Sequence, residues 1–209
     1  MSTPKRPTRT TRQDWINTAL DTLISEGVEN IKVLLLAQKL NCARSSFYWY
    51  FKNRDDLLDT LLDHWQATNT TAIVTKSALP AATINHALIH VFSCWVDPNL
   101  FDTRLDFAIR DWARRSGTVR RALDISDMAR LDAIAAMFER HHYPAAESAV
   151  RARIVYFTQI GYYALDIRET LAERITQGRN YLFCMTGQTP TDDEIRTLDA
   201  IAQASPTAG

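Results

Sequence analysis

The stretch Asn41-Cys42-Ala43-Arg44-Ser45-Ser46-Phe47-Tyr48-Trp49-Tyr50-Phe51-Lys52-Asn53-Arg54-Asp55-Asp56-Leu57 decides how the chain is read. It opens on a turn residue, runs through hydroxyls, aromatics and Arg, and restarts at a charged boundary. Phe47 and Phe51 stand four apart, so on a helix they share a face. Arg44, Ser45, Ser46, Tyr48 and Trp49 then fall on other faces, with Tyr50 and Lys52 beside them. Two Phe fix such a helix to a core, and the remainder suits a flat polar partner. Base edges and phosphates have that character: Arg matches guanine, Ser bonds to any base, and Tyr, Lys and hydroxyls hold phosphate. An amphipathic helix with an ordinary wet face would show the same residues.

The preceding segments favour the first alternative. Trp15, Ile16, Ala19, Leu20, Leu23 and Ile24 recur at helical spacing over 11–26, and Gly27 stops that helix. Val33, Leu36, Ala37 and Leu40 form the stripe of a second helix over 32–40, with Leu34 and Leu35 widening it towards a neighbour. Asn41 tolerates the left-handed region and makes the turn. Two short helices, a tight turn and an Arg-, Ser- and aromatic-bearing face describe a helix-turn-helix. Cys42 reads as a small buried hydrophobe.

Charge is distributed to match. Residues 1–54 hold nine Lys or Arg against four Asp or Glu, an excess of five positive charges. The whole chain has 24 of each, so residues 55–209 carry the opposite excess of five. A basic first part before an acidic remainder suggests two jobs and a polyanion partner for the first. The polar, basic, proline-bearing stretch 1–10 reads as a disordered arm. Three Cys far apart give no disulfide framework and fit a reducing cytoplasm. No secretory leader and no run long and apolar enough to span a membrane is expected.

Leu36-Ala37, the run from Asn41 to Arg54, and Leu57 together resemble the TetR family signature. The resemblance covers about a quarter of the chain. It implies an all-α fold, with an N-terminal three-helix helix-turn-helix domain (1–54) and a larger helical domain for ligand binding and dimerisation (55–209). It implies a one-component transcriptional regulator, commonly a repressor, that binds a palindromic double-stranded operator as a homodimer and answers to a small-molecule effector. Carried over residue by residue, Arg44, Ser45 and Ser46 would face bases. Tyr48, Trp49 and Tyr50 would meet sugar-phosphate and thymine methyls, and Lys52 and Arg54 would hold phosphate. The sequence departs from the family at Asn41, where Gly is usual, and at Lys32 and Ala43, where Ser or Thr is usual. A lost cap hydroxyl costs about 0.5–2 kcal/mol, and Lys32 could replace its phosphate contact with a charge. These losses are also what would support the alternative, a helical ligand-binding or scaffolding protein with a degenerate head.

Beyond the head, Leu57, Leu58, Leu61, Leu62 and Trp65 give a linking helix over 54–75. Body helices follow, with stripes at Ile84–Trp95, Leu105–Trp112, then Leu123, Ile125, Met128, Leu131, Ile134 and Met137, then Val150, Ile154, Phe157, Ile160 and Leu165. A helix over about 169–183 and a tail helix from Thr191 complete the chain. By resemblance, the helices over 145–166 and 169–183 form the dimer seam. Phe92, Trp95, Phe107, Trp112, Tyr156 and Tyr163 are the candidates for lining an effector pocket, and they are also ordinary core aromatics. His86 and His90 share a helix face, but no Glu or Cys completes a metal set, so no metal or cofactor is expected. No phosphate loop, nucleophile elbow or CxxC is present, which leaves an enzyme the weaker class.

Overall fold

The computed structural model describes residues 10–165, 167, 169–170, 173 and 176–203. The expected arm 1–10 lies almost wholly outside the described residues, as do the fraying tail from Ser205 and part of the stretch before Gly178. Among the described residues every regular element is helical and none is a strand. They are α1 (Arg12–Glu26), α2 (Val33–Lys39), a 3-10 segment (Arg44–Trp49), α3 (Arg54–Trp65), α4 (Thr71–Ala78), α5 (Ile84–Val96), α6 (Thr103–Ala113), α7 (Gly117–Arg140), α8 (Ala145–Ala164), α9 (Gly178–Thr186) and α10 (Asp192–Gln203).

The head forms for local reasons. Thr11 caps α1 reciprocally with Asp14, its hydroxyl accepting from the Asp14 N–H while the carboxylate accepts from the Thr11 N–H. Gly27, at φ 82°, ends α1 in a region that L side chains avoid. Asn41, at φ 48°, makes the turn after α2. Lys32 and Ala43 are the N-caps of the next two elements, and neither supplies a side-chain cap. Lys39 pins α2 to α1 through Glu26 at 2.5 Å and Thr22 at 2.8 Å.

The expected single helix over 54–75 is a longer, interrupted one. A π turn, Gln66–Thr70, joins α3 to α4, so the helical path runs to Ala78. The head's core continues into the body: Trp15, Leu36, Phe47 and Leu61 share one apolar cluster with Leu105, Ile109, Ala113, Val119 and Leu123. A second cluster, with Ile73, Leu88, Val91, Phe138, Val155 and Leu182 in it, binds α4, α5, α7, α8 and α9. The tail helix α10 docks on α5. There Glu194 is buried, accepting from Thr83, Asn85 and Thr191. Burial alone would raise this carboxyl, but those hydrogen bonds outweigh it and hold it below the usual range.

Two body stripes differ from expectation. On α7 the buried row is Val119, Leu123, Ser126, Arg130, Ile134 and Met137, while Ile125 and Met128 are exposed. On α8 the buried row is Ser148, Ala152, Val155, Tyr156 and Gln159, while Val150, Ile154 and Phe157 face outward. The physical reason is a polar core. Asp106 and Arg130, both without exposure, meet at 3.0 Å. Arg110 binds Asp106 at 2.9 Å and grips Asp127 with both Nη atoms at 3.0 and 2.7 Å. The Tyr156 hydroxyl accepts from Arg110 and Arg130 and donates to Asp127. Burial works against the charge on each arginine, but Asp106, Asp127 and Tyr156 outweigh it and raise both pKa values.

Asp106→Ala is expected to lower unfolding stability by about 3–5 kcal/mol, because it leaves Arg130 buried without its carboxylate. Urea denaturation followed by circular dichroism measures it.

Candidate nucleic-acid interface

Phe47 is fully buried, stacked on Phe51 at 5.2 Å and edge-on to Trp15 at 5.2 Å. The Arg12 guanidinium covers the other face of that group, 4.9 Å from the Phe51 ring centre. With these rings inward, the short 3-10 segment turns Arg44, Ser45, Tyr48 and Trp49 outward; Trp49 is 65% exposed and Tyr48 50%. Six residues in 3-10 form replace the expected turn of α-helix. The Arg44 Nη2 donates to the Tyr48 hydroxyl at 3.3 Å, so the two polar tips lie side by side on the outer face. Lys52 is exposed just beyond, at a bend whose backbone N–H donates to Asp56. Lys32 is exposed at the start of α2.

Three of the expected contact residues are engaged within the head. The Ser46 hydroxyl donates to the Ala43 carbonyl at 2.7 Å, which turns it back onto its own segment. The Tyr50 hydroxyl donates to the Thr10 carbonyl at 2.8 Å and ties down the entry to α1. Arg54 is turned inward, with Nε donating to the Ile31 carbonyl at 2.5 Å and Nη2 to the Val28 carbonyl at 2.7 Å. It satisfies carbonyls in the link between α1 and α2, so its guanidinium braces the head here, where phosphate contact was expected.

The candidate pocket aromatics divide. Phe92 and Trp95 are 5.9 Å apart, Phe107 and Tyr163 are 6.1 Å apart, and the Tyr163 hydroxyl donates to the Trp95 carbonyl at 3.3 Å, so four of the six gather where α5, α6 and α8 meet. The Trp95 indole N–H in that group is buried without a hydrogen-bond partner. Trp112 instead packs against the head's cluster, and Tyr156 belongs to the ionic core. His86 lies 3.8 Å from a Glu194 carboxylate oxygen and 4.0 Å from one of Asp193. Among the described residues no group of three or more His, Cys, Asp or Glu could hold a metal ion. No described helix is long and apolar enough to cross a membrane.

Residues 16–61 match the pattern of the bacterial regulatory proteins of the tetR family. This match takes in most of α1, all of α2, the turn and the 3-10 segment, and most of α3, and it includes Phe47 and Phe51. Its N-terminal part is thus similar to the head of the tetR family of regulatory proteins. Over 60 residues it is 37% identical to the class C tetracycline repressor protein of Escherichia coli, which is 29% of this chain and 27% of that protein. The matched part thus spans about a quarter of the length of such a repressor. The remainder is similar at the level of fold. Salmonella enterica GusR superposes with a TM-score of 0.61 at 14% identity, covering 85% of this chain and 95% of that one. Mycobacterium smegmatis AmtR superposes with a TM-score of 0.59 at 15% identity, covering 98% and 100%.

Arg54→Ala is expected to destabilise the head by about 1.5–3 kcal/mol, since it removes charge-assisted hydrogen bonds to two carbonyls. Thermal unfolding of the purified variant measures this.

Proposed function

We propose that this chain is a transcriptional regulator, a repressor in its basic mode, that binds a palindromic DNA operator as a homodimer and is modulated by a small-molecule effector. The observation that carries the reading is the outward face of the 3-10 segment. Arg44 and Ser45 present donors suited to base edges, Tyr48 and Trp49 present flat rings, and Lys52 and Lys32 flank them with positive charge. The division of labour is a reading head at 1–54 and an effector-binding and dimerising body at 55–209, acting in the cytoplasm. Ser46, Tyr50 and Arg54 serve the head mainly by holding its shape.

The homodimer reading is supported by the outward apolar row of α8. Val150, Ile154 and Phe157 are each about half exposed, and a Cβ at Gly161, one turn on, would meet no atom of this chain within 4 Å. Phe183 on α9 is exposed as well. An apolar row this long on a water-facing helix fits burial against a second copy, and paired half-sites need paired heads. The effector reading is supported by the Phe92, Trp95, Phe107 and Tyr163 group, whose rings and unpaired indole N–H suit a largely apolar molecule bearing one acceptor.

Selection of bound duplexes from a random library is expected to return a palindrome whose affinity falls steeply with salt. Recovery of no enriched sequence would contradict the reading and favour a helical binding protein with an idle head. On the selected operator, Arg44→Ala should cost about 1–3 kcal/mol and relax preference at one position per half-site. Lys52→Ala should weaken all sequences alike and lower the salt slope by about one unit. Fluorescence anisotropy over a salt series separates the two effects.

A further inference from the structure

The connection between α6 and α7 is basic out of proportion to the body that carries it. Residues 55–209 hold 15 Lys and Arg against 20 Asp and Glu, yet Arg114, Arg115, Arg120 and Arg121 fall within eight residues that contain no acid. All four are exposed. Arg115 lies 3.9 Å from Asp111 and Arg120 lies 2.8 Å from Asp124, in pairs whose side chains are each half exposed or more. Exposed pairs of this kind are worth about 0–1 kcal/mol and give way readily to another anion. Arg121 donates to the Thr118 hydroxyl at 3.2 Å. Among the described residues no carboxylate pairs with Arg114 or Arg121.

The contacts of α6 and α7 fix where this turn stands. α6 starts at the body end of α3, where Asn69 bonds Asp102 and the Trp65 indole donates to Asp106, and its last residues, Trp112 and Ala113, lie against the head's cluster. α7 runs the opposite way. Val119 and Leu123 join the head's cluster, Ser126 accepts from Gln66, Arg130 donates to Thr70, and Arg140 donates to the Ser77 carbonyl. Nine residues separate Gly117 from Ser126, so the start of α7 stands about 14 Å further towards the head than Gln66 does. α3 covers a similar length, about 16 Å, between Trp65 and Arg54. The four arginines therefore stand at the end of the body beside the head, next to α1, on which α6 packs.

We infer that Arg114, Arg115, Arg120 and Arg121 form a second phosphate-binding surface, with which the body holds the DNA backbone where the duplex continues past the half-site. This rests on the regulator reading above. The occupant follows from charge. The head presents Lys32, Arg44 and Lys52 to solvent, the turn beside it continues the same sign, and the rest of the body is acidic and repels a polyanion. Guanidinium forks match phosphate oxygens in shape as well as charge. Backbone contacts carry no sequence information of their own, so this surface adds affinity and salt dependence while the 3-10 segment sets the preference.

The test uses the full-length protein and the selected palindrome in two lengths. One duplex ends at the half-sites, and the other continues for about one helical turn, ten base pairs, of unrelated sequence at each end. Arg114→Gln with Arg121→Gln removes two charges of the cluster. Arg104→Gln removes an exposed charge at the opposite end of α6 and controls for net charge. The wild type and Arg104→Gln are expected to bind the long duplex about tenfold or more tighter than the short one, with a salt slope steeper by about two units. The double variant is expected to lose most of that gain, to bind the short duplex as the wild type does within about twofold, and to keep the sequence preference within each half-site. Thermal unfolding confirms that it is folded, and Arg114→Gln alone carries the test if it is not. A double variant that weakens both duplexes by the same factor overturns the inference, since that is what a change in overall charge gives. Absence of any palindromic operator for the wild type defeats the regulator reading and this inference with it, whereas a palindrome that the wild type binds equally at both lengths defeats this inference alone.

Discussion

Burial of Phe47 is the constraint from which the head follows. The ring has no exposure, with Trp15 against its edge and Phe51 stacked on it. Once it points inward, the tight 3-10 geometry leaves its neighbours little choice of direction, and Arg44, Ser45, Tyr48 and Trp49 must face outward. The aromatic contacts and the removal of two Phe side chains from water stabilise this arrangement by several kcal/mol. That offsets the missing cap hydroxyls at Lys32 and Ala43. The segment needs such support, because a 3-10 run of this length has poor hydrogen-bond geometry of its own.

The body is organised by a different kind of interaction. Asp106 and Arg130 are charged and wholly buried, an arrangement that carries a large desolvation cost and contributes little net stability over a well-packed apolar pair. Its value lies in geometry. Ion pairs and directional hydrogen bonds hold α3, α6, α7 and α8 at fixed angles where apolar packing alone would let them slide. One Nη of Arg130 remains buried without a hydrogen-bond partner, with the rings of Trp65 and Phe101 near its guanidinium.

Much of the head was legible because its signals are local. Gly27 and Asn41 mark turns by their tolerance of positive φ, and the Phe47–Phe51 spacing marks the buried face within a single turn. The polar core of the body was not legible, because it joins residues such as Trp65, Asp106 and Tyr156 that are more than forty apart in sequence. Reading apolar residues as buried then selected the wrong face of α8 and, on α7, mixed outward residues with the buried Leu123, Ile134 and Met137. Ile125, Met128, Val150, Ile154 and Phe157 are apolar and outward, while Ser126 and Arg130 are polar and inward. One clue was available: Arg130 sits in step with Leu123, Ile134 and Met137, so a charged side chain occupies a core register. The roles of Ser46, Tyr50 and Arg54 were missed for a similar reason, since each bonds a backbone carbonyl that only the folded turn brings near.

The most direct test of the DNA-reading face is atomic substitution in the DNA itself. In the selected operator each guanine of one half-site is replaced in turn by 7-deazaguanine, which lacks the N7 acceptor but pairs normally. If Arg44 reads guanine from the 3-10 segment, one position loses about tenfold or more in affinity for the wild-type protein and loses nothing further for Arg44→Ala. Equal affinity of the wild type for every substituted duplex would contradict the assignment of this face to base reading.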